Sequence, residues 1–351
     1  MTLISFLVSS LFLLSPQNTP YSVAHRGGHI KGFVPENSPA GVAAAKKYGY
    51  RAIECDVHYT KDKVLVIMHD RTINRTMVNA SDLSPIKEPV VVAETTFAEL
   101  RSKYVMASSD PAKRTPIPTF EEELDACKKY GIIPMMHTQH FEAYKMAKEK
   151  LGDNFIAFSA EYDSLRPVRQ ISDCLILWDP DNAPADEAIS KLKALGGRCG
   201  ISSMKHDLLT AEYVKQVRGA GFEVQSSIFK TPREVESYAN GVTYVLSDFA
   251  LFPAKSMKAK MSLHESDKTL RTGEKITFTG KQFKYSSLEI QIDIKGSVEV
   301  IVGGKRHYTF THADGMQRIG SWRFYDTAPT IEIVAKENST IKAVTINQYK
   351  Y

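Results

Sequence analysis

Eight short apolar runs punctuate the chain between Tyr21 and Pro253: SVAH, RAIECDV, KVLVIMHD, GIIPMMHT, NFIAFSA, CLILWD, GFEVQSS and TYVLSD. Between them lie helix-like stretches such as SPAGVAAAKKYG, TFEEELDACKKYG and LTAEYVKQVRGAG, whose glycines suit helix C-termini. Strand-like and helix-like segments in alternation predict a parallel sheet, and about eight repeats of the unit predict a TIM-type (β/α)8 barrel. Arg198–Ser203 is a ninth candidate strand for eight places, so one run must lie elsewhere. Asp70–Pro118 carries little strand signal and reads as an insertion after the third run.

The rhythm changes after Lys255. LEIQIDI (Leu288–Ile294) alternates apolar and polar at every step, the pattern of a half-buried strand. VEVIV, RHYTFTH, SWRFYD, TIEIVA and IKAVTINQY continue it, with turn signals at Gly303-Gly304 and Ala313-Asp314-Gly315. Short strands at this density predict a small all-β sandwich. The expected division is a leader over 1–20, a barrel over 21–254 and a β domain over 255–351.

Composition narrows the class. With 43% hydrophobic and 24% charged residues in 351, the chain is neither disordered nor fibrous. Leu3–Leu14 is a 12-residue run of apolar residues and serines. It is too short to span a bilayer and has the length of a secretory signal core, so a secreted or periplasmic protein is expected. Cys55, Cys127, Cys174 and Cys199 form no CxxC pair and read as buried small hydrophobes. Residues 255–351 hold 16 Lys and Arg against 10 Asp and Glu, so the basic excess lies in the β domain. That domain lacks a dense basic run, which argues against nucleic acid as a partner.

Reacting groups on a barrel sit at the C-terminal ends of its strands. His25 and Arg26 close the first run, and Glu54 and Asp56 lie two apart at the end of the second, projecting to one side. His69 and Asp70 close the third run, His137 and Gln139 the fourth. Two carboxylates on one side repel each other unless a cation lies between them or one is protonated, and oxygen ligands favour Ca²⁺ or Mg²⁺. Two histidines can serve as acid and base across a reacting centre, and the Arg26 fork with Gly27 and Gly28 suits a phosphate. Together these groups suit metal-assisted hydrolysis of a phosphodiester.

The segment AHRGG…VPENSPAGVAAAKKYGYRAIECDVHYTKDKVLVIMHDRTINRTM resembles the glycerophosphodiester phosphodiesterase family. HRG, PEN, ExDV, T-x-D and HD occur in that family's order, IPTFEE resembles its iPtLeE segment, and YVLSD its closing iiTD strand. The likeness covers about Tyr21–Pro253 and thins after Gly152. It implies a barrel with an insertion, a catalytic acid/base pair in His25 and His69, Arg26 on phosphate, and Glu54 and Asp56 on a divalent metal. The implied reaction turns a glycerophosphodiester into glycerol phosphate and an alcohol, and attack by water or by the neighbouring glycerol hydroxyl stays open.

The family's fourth-strand Glu-x-Lys, a metal ligand and a phosphate contact, is absent from Met135-Met136-His137-Thr138-Gln139. One register puts His137 and Gln139 in those places, the other Met135 and His137. With His137 as a ligand the preference moves toward Zn²⁺ or Mn²⁺. Glu161 is a candidate replacement carboxylate, and Gln225 stands where the family's VWTVN segment has Trp. The alternatives to a glycerophosphodiesterase are a barrel that binds a phosphorylated ligand or glycan without turnover, and an enzyme for a different phosphodiester. Trp322, Phe324 and Tyr325 are a candidate glycan platform, and the basic β domain a candidate contact for an anionic surface.

Overall fold

The structure is a computed structural model that describes residues 21–30, 32–203, 205, 207–229, 241–248, 261–304, 306–319 and 323–350. The leader, Trp322 and the expected domain boundary at 254/255 lie outside the described residues, as do the side chains of Phe324 and Tyr325.

The elements of the first part are β1 (Tyr21–Ala24), α1 (Pro39–Lys47), β2 (Ala52–Tyr59), β3 (Leu65–Ile67), β4 (Met77–Asn79), α2 (Phe97–Lys103), β5 (Tyr104–Met106), α3 (Phe120–Tyr130) and β6 (Ile133–His137). They continue as α4 (Phe141–Leu151), β7 (Ile156–Ser159), α5 (Tyr162–Ile171), β8 (Leu175–Trp178), α6 (Ala185–Leu195), β9 (Cys199–Ser203), α7 (Ala211–Gly219), β10 (Glu223–Phe229) and β11 (Tyr244–Ser247). Among the described residues, eight strands run parallel in the order β1-β2-β6-β7-β8-β9-β10-β11, and β11 pairs with β1 to close the barrel.

Arg198–Ser203 is therefore a barrel strand, and the surplus run is Lys63–Asp70. Its β3 pairs antiparallel with the end of β2, Val57 opposite Ile67, and takes no place in the barrel. Its apolar character has another cause. Val66, Met68, Ile73, Met77, Val92, Leu100, Met106 and Ile117 form a small core of the inserted region itself. The excursion thus starts at the end of β2 and includes the β3 hairpin, earlier than the sequence pattern placed it.

Local chemistry sets the helix ends. Ser38 caps α1 by accepting from the Gly41 amide, with Pro39 in the first turn. Thr119 and Glu122 form a reciprocal capping box on α3, and Gly131 ends that helix in the left-handed region. Strand residues pointing outward, Cys55, Met136, Ala157, Ile176 and Val224 among them, pack in the main core with helix residues. Those pointing inward, Val23, Met135, Ile156, Phe158, Leu177 and Leu246, fill the lumen. All four cysteines are free and buried.

The later elements are β12 (Met261–Leu270), β13 (Lys275–Thr279), β14 (Phe283–Val302), β15 (Arg306–Ile319), β16 (Arg323–Thr327), β17 (Thr330–Ala335) and β18 (Ser339–Lys350), joined in one antiparallel network. The 20-residue β14 is its spine, pairing with β18 over Ser286–Lys295 and with β17 over Val298–Val302. Leu288, Ile290, Ile292 and Ile294 are fully buried, as the alternation in LEIQIDI requires.

Gly28 is packed against α1 so closely that a Cβ there would lie 2.4 Å from the Ala45 backbone nitrogen. Gly28→Ala forces the loop carrying His25 and Arg26 off the helix and is expected to cost about 1–3 kcal/mol of stability or more. Chemical denaturation checks this, and an unchanged midpoint contradicts it.

Candidate active site

The polar residues singled out at strand ends converge at the C-terminal mouth of the barrel. Glu54 and Asp56 project from β2 and are almost completely buried. Glu54 accepts from the Arg26 amide at 3.0 Å, and Asp56 from the Asn37 side chain at 3.0 Å. Both donors come from the loop between β1 and α1, where Arg26 (φ 52°) and Asn37 (φ 49°) adopt the left-handed conformation. That conformation costs a non-glycine residue about 1–2 kcal/mol, and here it aims donors at buried carboxylates.

His137 completes the group. In register, Met135 lies beside Glu54 and His137 beside Asp56. Met135 is buried in the lumen, whereas His137 Nδ1 lies 3.3 Å from Asp56 Oδ1 and 4.0 Å from Glu54 Oε1. His137, and not Met135, therefore faces the two carboxylates, and Gln139 beyond the strand end is exposed. Glu54, Asp56 and His137 each offer a ligand atom, all within 4.8 Å of one another. Glu161 is exposed at the start of α5 and is outside this group.

The electrostatics fit a cation. Burial and the neighbouring Asp56 charge push the Glu54 carboxyl well above its usual range, against the pull of the Arg26 amide. Burial also opposes Asp56, but hydrogen bonds from His137 and Asn37 and the nearby His69 hold it below its usual value. A positive charge among the two oxygens and the imidazole would satisfy both carboxylates at once. The three residues can therefore hold a metal ion, with a mixed oxygen and nitrogen donor set.

His25 and His69 flank this group in matching settings. His25 Nδ1 meets Asp248 Oδ1 at 2.6 Å, and His69 Nδ1 meets Asp70 Oδ1 at 2.6 Å. In each case a carboxylate takes Nδ1, which leaves Nε2 for a substrate. His69 reaches the mouth because β3 runs back along β2 and the Met68 amide donates to the Asp56 carbonyl at 3.0 Å. Arg26 gives one Nη1 hydrogen bond to Glu36 at 3.0 Å, while its buried Nε makes no hydrogen bond and lies 3.8 Å from Asp56 Oδ2. An unmatched buried donor on a guanidinium is a ready contact for an anion.

Several contributors escaped the strand-end rule. Asp248 lies 223 residues from His25 and meets it only because β11 closes on β1; its place after YVLS was the available signal. Glu36 and Asn37 belong to the PEN element but carry no strand or helix signal. His58 shares the face of Glu54 and Asp56, and its burial disfavours the charged ring. Asp179, at the end of β8, is pushed up by burial. Gln225 is fully buried in the lumen, donating to Ser202 Oγ at 2.9 Å, so it plugs the barrel beneath the site.

The description "Glycerophosphoryl diester phosphodiesterase family" belongs to a family model that matches residues 25–236. The glycerophosphodiester phosphodiesterase 1 of Mus musculus is 30% identical over 126 residues, 35% of each chain. The Bos taurus protein of the same name is 24% identical over 274 residues, 66% of this chain and 79% of its own. The chain thus spans about a third of the mouse relative that it matches. A solved phosphodiesterase from Oleispira antarctica, in complex with the product sn-glycerol-3-phosphate, superposes with a TM-score of 0.53 at 21% identity, over 66% of this chain and 94% of that one. A glycerophosphodiester phosphodiesterase from Parabacteroides distasonis gives 0.52 at 20% identity, over 66% and 93%. These likenesses show the barrel fold.

Asp70 has a direct acid signature. Hydrogen bonds from Arg75, opposed by burial and aided by His69, lower its carboxyl from 3.8 to about 2. A depressed folded value stabilises the protein above the unfolded value, and the contribution is lost as pH falls through about 2. Asp70→Asn is therefore expected to flatten the fall in melting temperature between pH 4 and pH 2. Parallel slopes for the two proteins would contradict it.

Proposed function

Because this chain belongs to the glycerophosphoryl diester phosphodiesterase family, we propose that its barrel hydrolyses a small glycerophosphodiester to glycerol phosphate and an alcohol, with a divalent cation at Glu54, Asp56 and His137. The observation that carries the proposal is the placing of two carboxylate-backed histidines and the Arg26 guanidinium around that ligand group. Such an ion supplies positive charge to the phosphoryl oxygens.

The remaining work belongs to the chain's own groups. Arg26 binds and orients the phosphate through its guanidinium. One of His25 and His69 takes the proton from the attacking hydroxyl through Nε2, and the other gives a proton to the alkoxide that leaves as the P–O bond breaks. Asp248 and Asp70 fix the ring orientations and stabilise each imidazolium as it forms. The attacking group is water, or the neighbouring glycerol hydroxyl with the cyclic phosphate it forms then opened by water. The chain acts in lipid headgroup turnover outside the cytoplasm on this reading, with the 3–14 run as its export signal. A glycan or an anionic surface is the proposed contact of the basic β domain.

A second reading, binding of a phosphorylated ligand without turnover, is favoured by the missing cation at exposed Gln139.

One experiment separates them. Hydrolysis of a panel of glycerophosphodiesters is followed with EDTA and with Ca²⁺, Mg²⁺, Mn²⁺ and Zn²⁺ in turn. Metal-dependent turnover that falls at least about 100-fold in His25→Ala is the expected result; tight product binding with no turnover in any metal supports the second reading.

The imidazole sets the metal order. Mn²⁺ and Zn²⁺ are expected to outrank Ca²⁺ in the native chain, and His137→Glu to restore Ca²⁺ or Mg²⁺. Calorimetric titration of each metal into both proteins reads this without relying on activity, and an identical ranking in the two would remove His137 from the ligand set.

A further inference from the structure

The residue that joins the two phosphate-handling halves of the site is in the inserted region. Arg75 Nε donates to Asp70 Oδ2 at 2.7 Å and its Nη2 to Asp70 Oδ1 at 3.0 Å. The same guanidinium gives Nη1 to Glu36 Oε2 at 2.8 Å and Nη2 to Glu36 Oε1 at 2.7 Å. One planar fork thus grips two carboxylates, each through both oxygens. Asp70 carries the Nδ1 side of His69, and Glu36 carries Arg26.

We propose that Arg75 is a positioning residue that sets His69 through Asp70 and Arg26 through Glu36, so that one guanidinium holds both groups in register. This rests on the phosphodiesterase reading of the site.

Two features separate this role from an ordinary surface ion pair. First, the backbone under Arg75 is pinned. Asn74 donates to the carbonyls of Ile86 (3.1 Å) and Glu88 (2.8 Å) and accepts from the Val90 amide (3.0 Å), while Ile73 is fully buried. The side chain is therefore presented from a fixed base, although it is itself 48% exposed and contributes little to the core. Second, Glu36 is shared. Arg75 occupies both its oxygens, which leaves Arg26 a single hydrogen bond there, through Nη1. With Arg75 removed, the mostly buried Glu36 has only Arg26 as a strong partner and draws that guanidinium away from phosphate. Asp70 at the same time loses two of the bonds that orient it toward the half-exposed His69.

Arg75→Ala and Arg75→Lys are compared with the native protein in kcat, KM, melting temperature and inhibition by glycerol 3-phosphate. Arg75→Ala is expected to fold with a melting temperature within a few degrees of native and to lose about 10–100-fold in kcat/KM, the scale of orienting residues around an active centre. The loss is expected in both kcat, through His69, and KM and product affinity, through Arg26. Lysine lacks the fork and is expected to recover little, whereas guanidinium ion added at millimolar level restores part of the rate to Arg75→Ala.

A kcat/KM within about threefold of native in Arg75→Ala overturns the proposal. So does a full recovery by Arg75→Lys, which also decides the matter should the alanine variant fail to fold. Where the native protein hydrolyses nothing, the phosphodiesterase reading fails first. Arg75 is then judged by nitrogen NMR of His69: one tautomer in the native protein and a mixture in Arg75→Lys support the positioning role, and identical spectra overturn it.

Discussion

The site is organised by the cost of placing two carboxylates two residues apart on one buried strand face. Glu54 and Asp56 are both almost solvent-free, and each raises the energy of ionising the other. The surrounding chain supplies donors to meet that cost. The Arg26 amide, the Asn37 side chain and the His137 ring all point inward at those oxygens. Two of these donors require left-handed backbone at non-glycine residues, and Gly27 (φ 77°) and Gly28 let the same loop lie against α1. The loop between β1 and α1 is therefore shaped by β2, and the setting of the Arg26 side chain follows from where its amide must point.

Charge then propagates outward in alternating signs. Asp56 faces Arg26, Arg26 faces Glu36, Glu36 faces Arg75, Arg75 faces Asp70 and Asp70 faces His69. Side-chain exposure is 6–16% over Asp56, Arg26 and Glu36 and 27–48% over Arg75, Asp70 and His69. The buried end fixes geometry where water cannot compensate, and on the proposed reading the exposed end carries the group that exchanges protons. His25 is held separately by Asp248, so the two histidines do not share a counter-ion.

How much of this was legible in the sequence depends on the range of the interaction. Strand ends are local, and His25, Arg26, Glu54, Asp56 and His137 were found by periodicity with the rule that barrel chemistry gathers at one mouth. Lys63–Asp70 misled because burial was the only signal: an apolar run reads the same in a parallel barrel strand as in a hairpin covered by its own small core. His69 nonetheless reaches the mouth, because the hairpin runs back along β2. The pairs Asp248–His25 and Arg75–Glu36 form only after distant parts of the chain close on each other, which spacing does not encode. In the β domain LEIQIDI marked its strand correctly, since Leu288, Ile290, Ile292 and Ile294 of β14 are all fully buried. What pattern alone could not show is that β14 continues through Gly296 to pair with a second partner, β17.

The two departures at β6 make physical sense as a pair. In the family pattern a glutamate and a lysine at that strand end bring one negative and one positive charge, which cancel. Here His137 and Gln139 bring neither. With a divalent ion in place, two carboxylates and the ion sum to zero in this chain, and three carboxylates, the ion and a lysine sum to zero in the family pattern. On the proposed reading the charge offered to an anionic phosphodiester is thus unchanged, while the donor set softens from oxygen to nitrogen. Loss of the glutamate alone would leave the site overcharged, and loss of the lysine alone would leave a net negative centre facing a negative substrate. On the proposed reading Arg26 is then the principal fixed cation for a phosphate, and the double grip of Arg75 on Glu36 acquires its importance from that, because Glu36 is the carboxylate hydrogen-bonded to Arg26.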